Sequence, residues 1–297
     1  MFFHFKINKL FYHCLQMNLA ILLAVAALVG GNAADECRGI YRVSSRDGQV
    51  LKDGVDSPYQ LALDTDTNTL FFSYSTDGVN EAFQSMYLNL KDGTSGIIRG
   101  VVSGFAHAYD SQHQIVYIGG SDGIYKFDYD TKTAVNLNIT DGNIWQMFYR
   151  NGLYFTTYPE EKSFVYKNGK VERVNELKRN KTMLIAVDED GSLFFVHDGG
   201  LKRVKNGEIV AVGDYNVNAF NTYAGKLYFS TPTAIYMVSE GAVKKVVSFA
   251  NTFGFAIENH QQLIYAADRS VVRVTLTHDM CVDDKEVEDK SSNNVED

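Results

Sequence analysis

One phrase recurs six times along the chain, and it limits the fold more than any other feature. A segment of strand length, opening with two or three bulky apolar residues, reads LFFSY from Leu70, IVYIG from Ile115, LYFTT from Leu153, LFFVH from Leu193, LYFST from Leu227 and LIYAA from Leu263. Successive copies stand 45, 38, 40, 34 and 36 residues apart, the size of one four-stranded propeller blade. A further strand follows each copy: MYLNL from Met86, IYKFDY from Ile124, FVYK from Phe164, LKRV from Leu201, IYMV from Ile235 and VVRV from Val271. Most of these alternate apolar and polar residues, as half-buried antiparallel strands require. Turns such as DGT, NGK and NGE provide the positive φ that hairpins need. No segment carries a long 3.6-residue periodicity. The expected fold is therefore all-β, a six-bladed β-propeller over residues 35–281, with about 41 residues per blade.

Composition agrees with a large core. Of the 297 residues, 45% are hydrophobic, and 19 Phe, 18 Tyr and 1 Trp supply bulk, so disordered and disulfide-scaffold classes are excluded. A net charge of -8 leaves no basic field for phosphates, so neither nucleic acid nor an anionic membrane is an expected partner. A single closed ring is read as a monomer.

Both ends of the chain read differently from its middle. Lys6, Lys9 and His13 precede an uncharged apolar run from Leu19 to Val29, and small residues follow through Gly31, Ala33 and Ala34. That is the pattern of a secretory signal over residues 1–34, with Met17 as an alternative start, and the run is shorter than the ~20 apolar residues that cross a bilayer. An extracellular protein is expected. Cleavage would remove Cys14 and leave Cys37 and Cys281, near the two ends of the ring, to form one disulfide across its seam. Residues 282–297, with seven acids and two lysines, read as a disordered acidic tail. Asn138 in NIT and Asn180 in NKT are glycosylation acceptors in such a chain.

Motifs that resemble catalytic or metal sites lack their contexts. Gly119 to Gly123, GGSDG, matches the nucleophile elbow in letters, but it joins two strands where that motif joins a strand to a helix. Asp64, Asp66 and Asn68 start like an EF-hand loop, yet Thr69 and Ser75 stand where its Gly and Glu belong. The histidines and cysteines show no zinc spacing. No catalytic residue, metal or cofactor is expected.

The first strand of each blade lines the channel of a propeller. These strands read PYQLALD from Pro58, GFAHAYD from Gly104, NIWQMFY from Asn143, TMLIAVD from Thr182, NVNAFN from Asn216 and TFGFAIE from Thr252. Aligned on the turn that follows, they show a column of mostly small residues: Ala62, Ala108, Met147, Ala186, Ala219 and Ala256. Toward their starts stand Tyr59, Gln60, Phe105, His107, Trp145, Gln146, Asn218 and Phe253, with no carboxylate among them. Aromatic faces with neutral amides and one imidazole describe a site for a flat organic ligand, and the competing reading is packing between blades. A calcium-dependent hydrolase on this fold would need oxygen ligands with charge among them, and an extracellular interaction module remains a further alternative.

The phrases PYQLALDTDTNTLFFSYS, GIYKFDYDTKTAVNLNITDGNIWQMFY, LYFTTYPEEK and KLYFSTPTAIYMV together resemble the ommochrome-binding proteins of moths and butterflies, from about Cys37 to Cys281. The resemblance implies a non-enzymatic protein secreted into haemolymph that binds an ommochrome, a planar tryptophan-derived pigment, for transport or sequestration. It assigns no binding residues.

Overall fold

The computed structural model describes residues 41–43, 48–76, 82–239, 241–249 and 251–278. Signal, cysteines and acidic tail lie outside them. Within them the chain is an all-β, six-bladed propeller of antiparallel blades. Blades 1 to 5 run from their innermost strands, Asp56–Asp64, Ala106–Asp110, Ile144–Tyr149, Ile185–Val187 and Ala219–Tyr223, outward through three more strands in sequence order.

Blade 6 is assembled from both ends of the described chain. Its inner three strands are Gly254–Ile257, Gln262–Ala266 and Ser270–His278, and its outermost layer comes from Gln49–Asp53, paired Val50 to Val272, and from Tyr41–Val43, paired Tyr41 to His278. Tyr41 also pairs in parallel with Val247, so the same short strand ties blade 5 to blade 6. Ring closure therefore rests on backbone pairing between the start and the end of the domain.

The recurrent apolar phrases form the second strand of each blade. A blade is covered on both faces by its neighbours, which explains why these strands read as continuous apolar runs: Leu70, Phe71, Phe72, Phe194, Phe195 and Phe229 have no solvent exposure. Each such side chain stabilises by about 1.5 to 3 kcal/mol relative to exposure. The buried apolar residues fall into six clusters, one in each cleft between adjacent blades.

Two readings of the sequence are refined here. The column of small residues is not level: Ala62, Ala186 and Ala256 face the second residue of the apolar phrase, Ala108 and Met147 face the third, and Ala219 faces Ser230. Alignment on the following turn fails because those turns differ in length, with four residues between Asp64 and Thr69 in blade 1 and two between Tyr223 and Lys226 in blade 5. The aspartates that end inner strands are turn-formers, as expected. Asp64 Oδ1 accepts from the amides of Asp66 and Thr67, Asp110 Oδ1 from Gln112 and His113, and Asp188 Oδ1 from Asp190 and Ser192. GGSDG is a hairpin turn, and a Cβ on Gly119 would lie 2.5 Å from Ile144 of the next blade.

Candidate ligand-binding site

The innermost strands run side by side, so their starts meet at one end of the channel and their ends at the other. At the start end, side chains from blades 6, 1, 2 and 3 form a continuous aromatic tier. Tyr59 packs 5.5 Å from Phe253 and 5.8 Å from Phe105, and Phe105 lies 4.8 Å from Trp145. These are edge and tilted arrangements, which the ring quadrupoles favour over face-to-face stacking. The four aromatic residues expected at the site are thus brought together.

Two further rings extend the tier. Phe83, opening the third strand of blade 1, sits 4.4 Å from Phe105, and Tyr158, after the second strand of blade 3, sits 5.2 Å from Trp145. Tyr158 is 44% exposed, an unusual position for a large ring. Both lie outside the inner strands, so inspection of those strands alone does not find them. A groove of about 660 Å³ between blades 1 and 2 adjoins Phe83 and is walled mainly by exposed and half-buried residues, including Ile97, Arg99 and Lys132.

The polar candidates are placed differently. His107 is buried, with Nδ1 3.1 Å from the Gln60 carbonyl and Nε2 3.1 Å from Ser85 Oγ. A carbonyl only accepts, so Nδ1 carries the proton and Nε2 accepts from the serine hydroxyl. Burial pushes the imidazole pKa down to about 3, and the ring is neutral at physiological pH. Gln146 is equally buried; its Nε2 donates to the Met147 and Ile185 carbonyls at 3.0 and 3.1 Å, and its Oε1 accepts from the Ile185 amide at 3.0 Å. Asn218 Nδ2 donates to the Thr252 carbonyl at 2.6 Å. These three side chains therefore join blade 2 to blade 1, blade 3 to blade 4 and blade 5 to blade 6.

Gln60 contributes through its backbone. It has φ +52°, in a strand whose pairing is interrupted on both sides of Tyr59. A non-glycine residue in that region stores strain that its surroundings must hold in place. The bulge turns carbonyls of blade 1 toward other blades: Gln60 O meets His107 of blade 2, and Leu61 O accepts from Asn221 Nδ2 of blade 5 at 3.3 Å.

The opposite end of the channel opens into a chamber of about 430 Å³, within the range of small-molecule sites. Its wall includes Tyr109, Phe148, Phe220 and Tyr223, together with Arg150 and Asn221. About 17 Å of extended chain separates Trp145 from the level of Arg150, at ~3.3 Å per residue.

Among the described residues, no group of three or more His, Cys, Asp or Glu side chains is placed to share a metal ion. The aromatic tier does not supply the oxygen set that calcium needs. Asn138 is exposed and Asn180 half-buried, both in segments between blades.

No family model matches the chain. Among known proteins, the ommochrome-binding protein of Manduca sexta is 40% identical over 237 residues, which cover 76% of this chain and 86% of that protein. Among solved structures, a gluconolactonase from Xanthomonas campestris superposes with a TM-score of 0.60 at 14% identity, covering 82% of this chain and 96% of that one. The calcium-binding protein regucalcin from Agrobacterium tumefaciens gives 0.58 at 14% identity, covering 82% and 97%. At that identity the two structures show a common fold and nothing of a common chemistry.

Proposed function

Since the chain belongs to the family of the ommochrome-binding proteins, we propose that it binds an ommochrome non-covalently and leaves it chemically unaltered. The observation that carries this reading is the 40% identity to the Manduca sexta protein, and the aromatic tier is the feature of the fold that suits a planar ligand. In this reading the pigment lies against Trp145, Tyr158, Tyr59 and Phe253, with Phe105 and Phe83 beneath them. A flat ring system gains apolar contact there, and each aromatic pair adds about 0.5 to 1.5 kcal/mol beyond area burial.

The polar residues act through position. His107 and Gln146 have their hydrogen-bonding groups committed between blades and Asn218 makes one such bond, so they hold the inner strands that present the rings. Gln60 sets the bulge from which Tyr59 projects. The strand starts of blades 1, 2, 3 and 6 are thereby kept in one arrangement before any ligand arrives, which lowers the ordering cost of binding.

The same proposal takes the protein as secreted into haemolymph and monomeric, transporting or sequestering pigment, with a signal over residues 1–34 and glycans on Asn138 and Asn180. Isolation from its native fluid and an absorption spectrum of the purified protein test it: a co-purifying visible chromophore is expected, and reconstitution with purified ommochrome should be saturable. Calcium-dependent hydrolysis of a lactone by the same preparation, with no pigment bound, would replace the binder with an enzyme. A protein recovered by pull-down that no pigment displaces would favour an interaction module.

A further inference from the structure

The chamber at the other end of the channel is chemically unlike the aromatic tier. Arg150 is the one residue of its wall that carries a formal charge at neutral pH, because the imidazole of His107 at its floor is neutral. The guanidinium is only partly satisfied: one Nη donates to the Gly225 carbonyl at 3.0 Å, while Nε is buried and has no partner. Five N–H donors in a fixed fork normally find a carboxylate. Here the nearby carboxylates are otherwise engaged. Asp188 accepts from amides of its own turn, and Glu189 is paired with Lys226. Burial lowers the Arg150 pKa, the two carboxylates offset part of that at a distance, and a guanidinium stays charged at neutral pH.

The rest of the wall is suited to a flat body. Tyr109, Phe148 and Tyr223 supply rings and Thr222 a small polar group, and Asn221 is held by the Phe255 carbonyl at 3.0 Å. A cation with an unused donor in a cavity walled by aromatic rings and uncharged polar side chains selects for one acidic group on a planar molecule.

We propose that this chamber is a second ligand site, distinct from the aromatic tier, which takes a small planar aromatic acid with its carboxylate on Arg150. The proposal stands independently of pigment binding, because no residue of the tier lines the chamber.

The test compares quinoline-2-carboxylate with its methyl ester by calorimetric titration at low ionic strength, on wild type, Arg150→Gln and Arg150→Lys. Wild type should bind the acid saturably and the ester at least about tenfold more weakly, since a hydrogen bond to a charged group is worth that much. Arg150→Gln should lose this preference, and Arg150→Lys should keep part of it by charge alone. Equal binding of acid and ester by wild type, no saturable binding of the acid, or an undiminished preference in Arg150→Gln would overturn the proposal. Should Arg150→Gln fail to fold, the wild-type ratio and Arg150→Lys still decide. Pigment titrated into the same wild-type sample reports separately on the family reading.

Discussion

The imidazole of His107 in blade 2 donates from Nδ1 to the carbonyl oxygen of Gln60 in blade 1, at 3.1 Å, and the strained backbone of Gln60 (φ +52°) is what turns that carbonyl to it. A single hydrogen bond thus links the channel-side strands of two blades. The other nitrogen, Nε2, can accept from the Ser85 hydroxyl only while the ring is neutral.

A pH dependence follows. The folded-state pKa of His107, about 3, lies below the ordinary 6.5, so between those values the unfolded chain binds a proton that the native state refuses. The contribution is complete above pH 6.5 and is lost as pH falls through the window toward 3. Replacing His107 by Gln removes this proton uptake. The fall in melting temperature between pH 7 and pH 4.5 should be shallower in His107→Gln than in wild type, and equal slopes would show that the ring does not carry the effect.

Gln146 makes three hydrogen bonds while buried, two of them to Ile185 of blade 4. Its replacement by Ala leaves an amide and a carbonyl of Ile185 without those partners, at about 1 to 3 kcal/mol for each buried group left unsatisfied. Chemical denaturation should show a loss of roughly 2 to 6 kcal/mol on that basis. A loss below about 0.5 kcal/mol, the range of ordinary surface substitutions, would mean that water replaces the side chain without penalty.

Closure of the ring by Gln49–Asp53 predicts an asymmetry between the termini. Deletion through Asp53 removes the outer layer of blade 6 and exposes the edge of Ser270–His278, so the product should aggregate or fail to fold. Deletion of residues 283–297, a run of net charge -5 with nothing apolar to bury beyond two valines, should leave the melting temperature nearly unchanged. A cooperative, soluble product from the first deletion, or a drop of several degrees from the second, would contradict this closure.

A disulfide between Cys37 and Cys281, expected from the sequence, would reinforce the same seam. Cys37 lies four residues before Tyr41 and Cys281 three residues after His278, and Tyr41 and His278 are opposite each other in the pairing. A bridge spanning a loop of this length contributes about 5.5 kcal/mol in the loop-entropy description, less any native strain. Non-reducing peptide mapping of secreted protein should recover the two cysteine peptides linked, and two alkylatable thiols would refute the pairing.

Periodicity made the blades legible because the second strand of each is buried on both faces, which forces an uninterrupted apolar run on the sequence. Gln49–Asp53 gave no such signal. It is an outer, largely exposed strand whose partner lies more than two hundred residues away, so neither burial nor spacing marks it. The rings of Tyr59, Phe105, Trp145 and Phe253 could be located from the starts of the inner strands, whereas Phe83 and Tyr158 reach the same tier from a third strand and a turn. His107, Gln146 and Asn218 were legible as buried polar groups in need of partners, but not which partners. These are backbone atoms of adjacent blades, and Gln60 offers its carbonyl only because of a bulge that no residue type announces. Arg150 stood out in no pattern. Its meaning comes from what surrounds it in space, a cavity and carboxylates already engaged.

The central claim is that a planar pigment is held on the aromatic tier, and Trp145 is the only tryptophan available to report it. The most direct measurement is titration of purified ommochrome into wild type and into a folded Trp145→Ala variant, following both pigment absorption and, in wild type, indole emission. Saturable binding with quenching is predicted for wild type, with affinity about one order of magnitude weaker in the variant, matching ~1.4 kcal/mol of lost ring contact. Absence of saturable binding in wild type, or the same affinity in both proteins, would contradict the account.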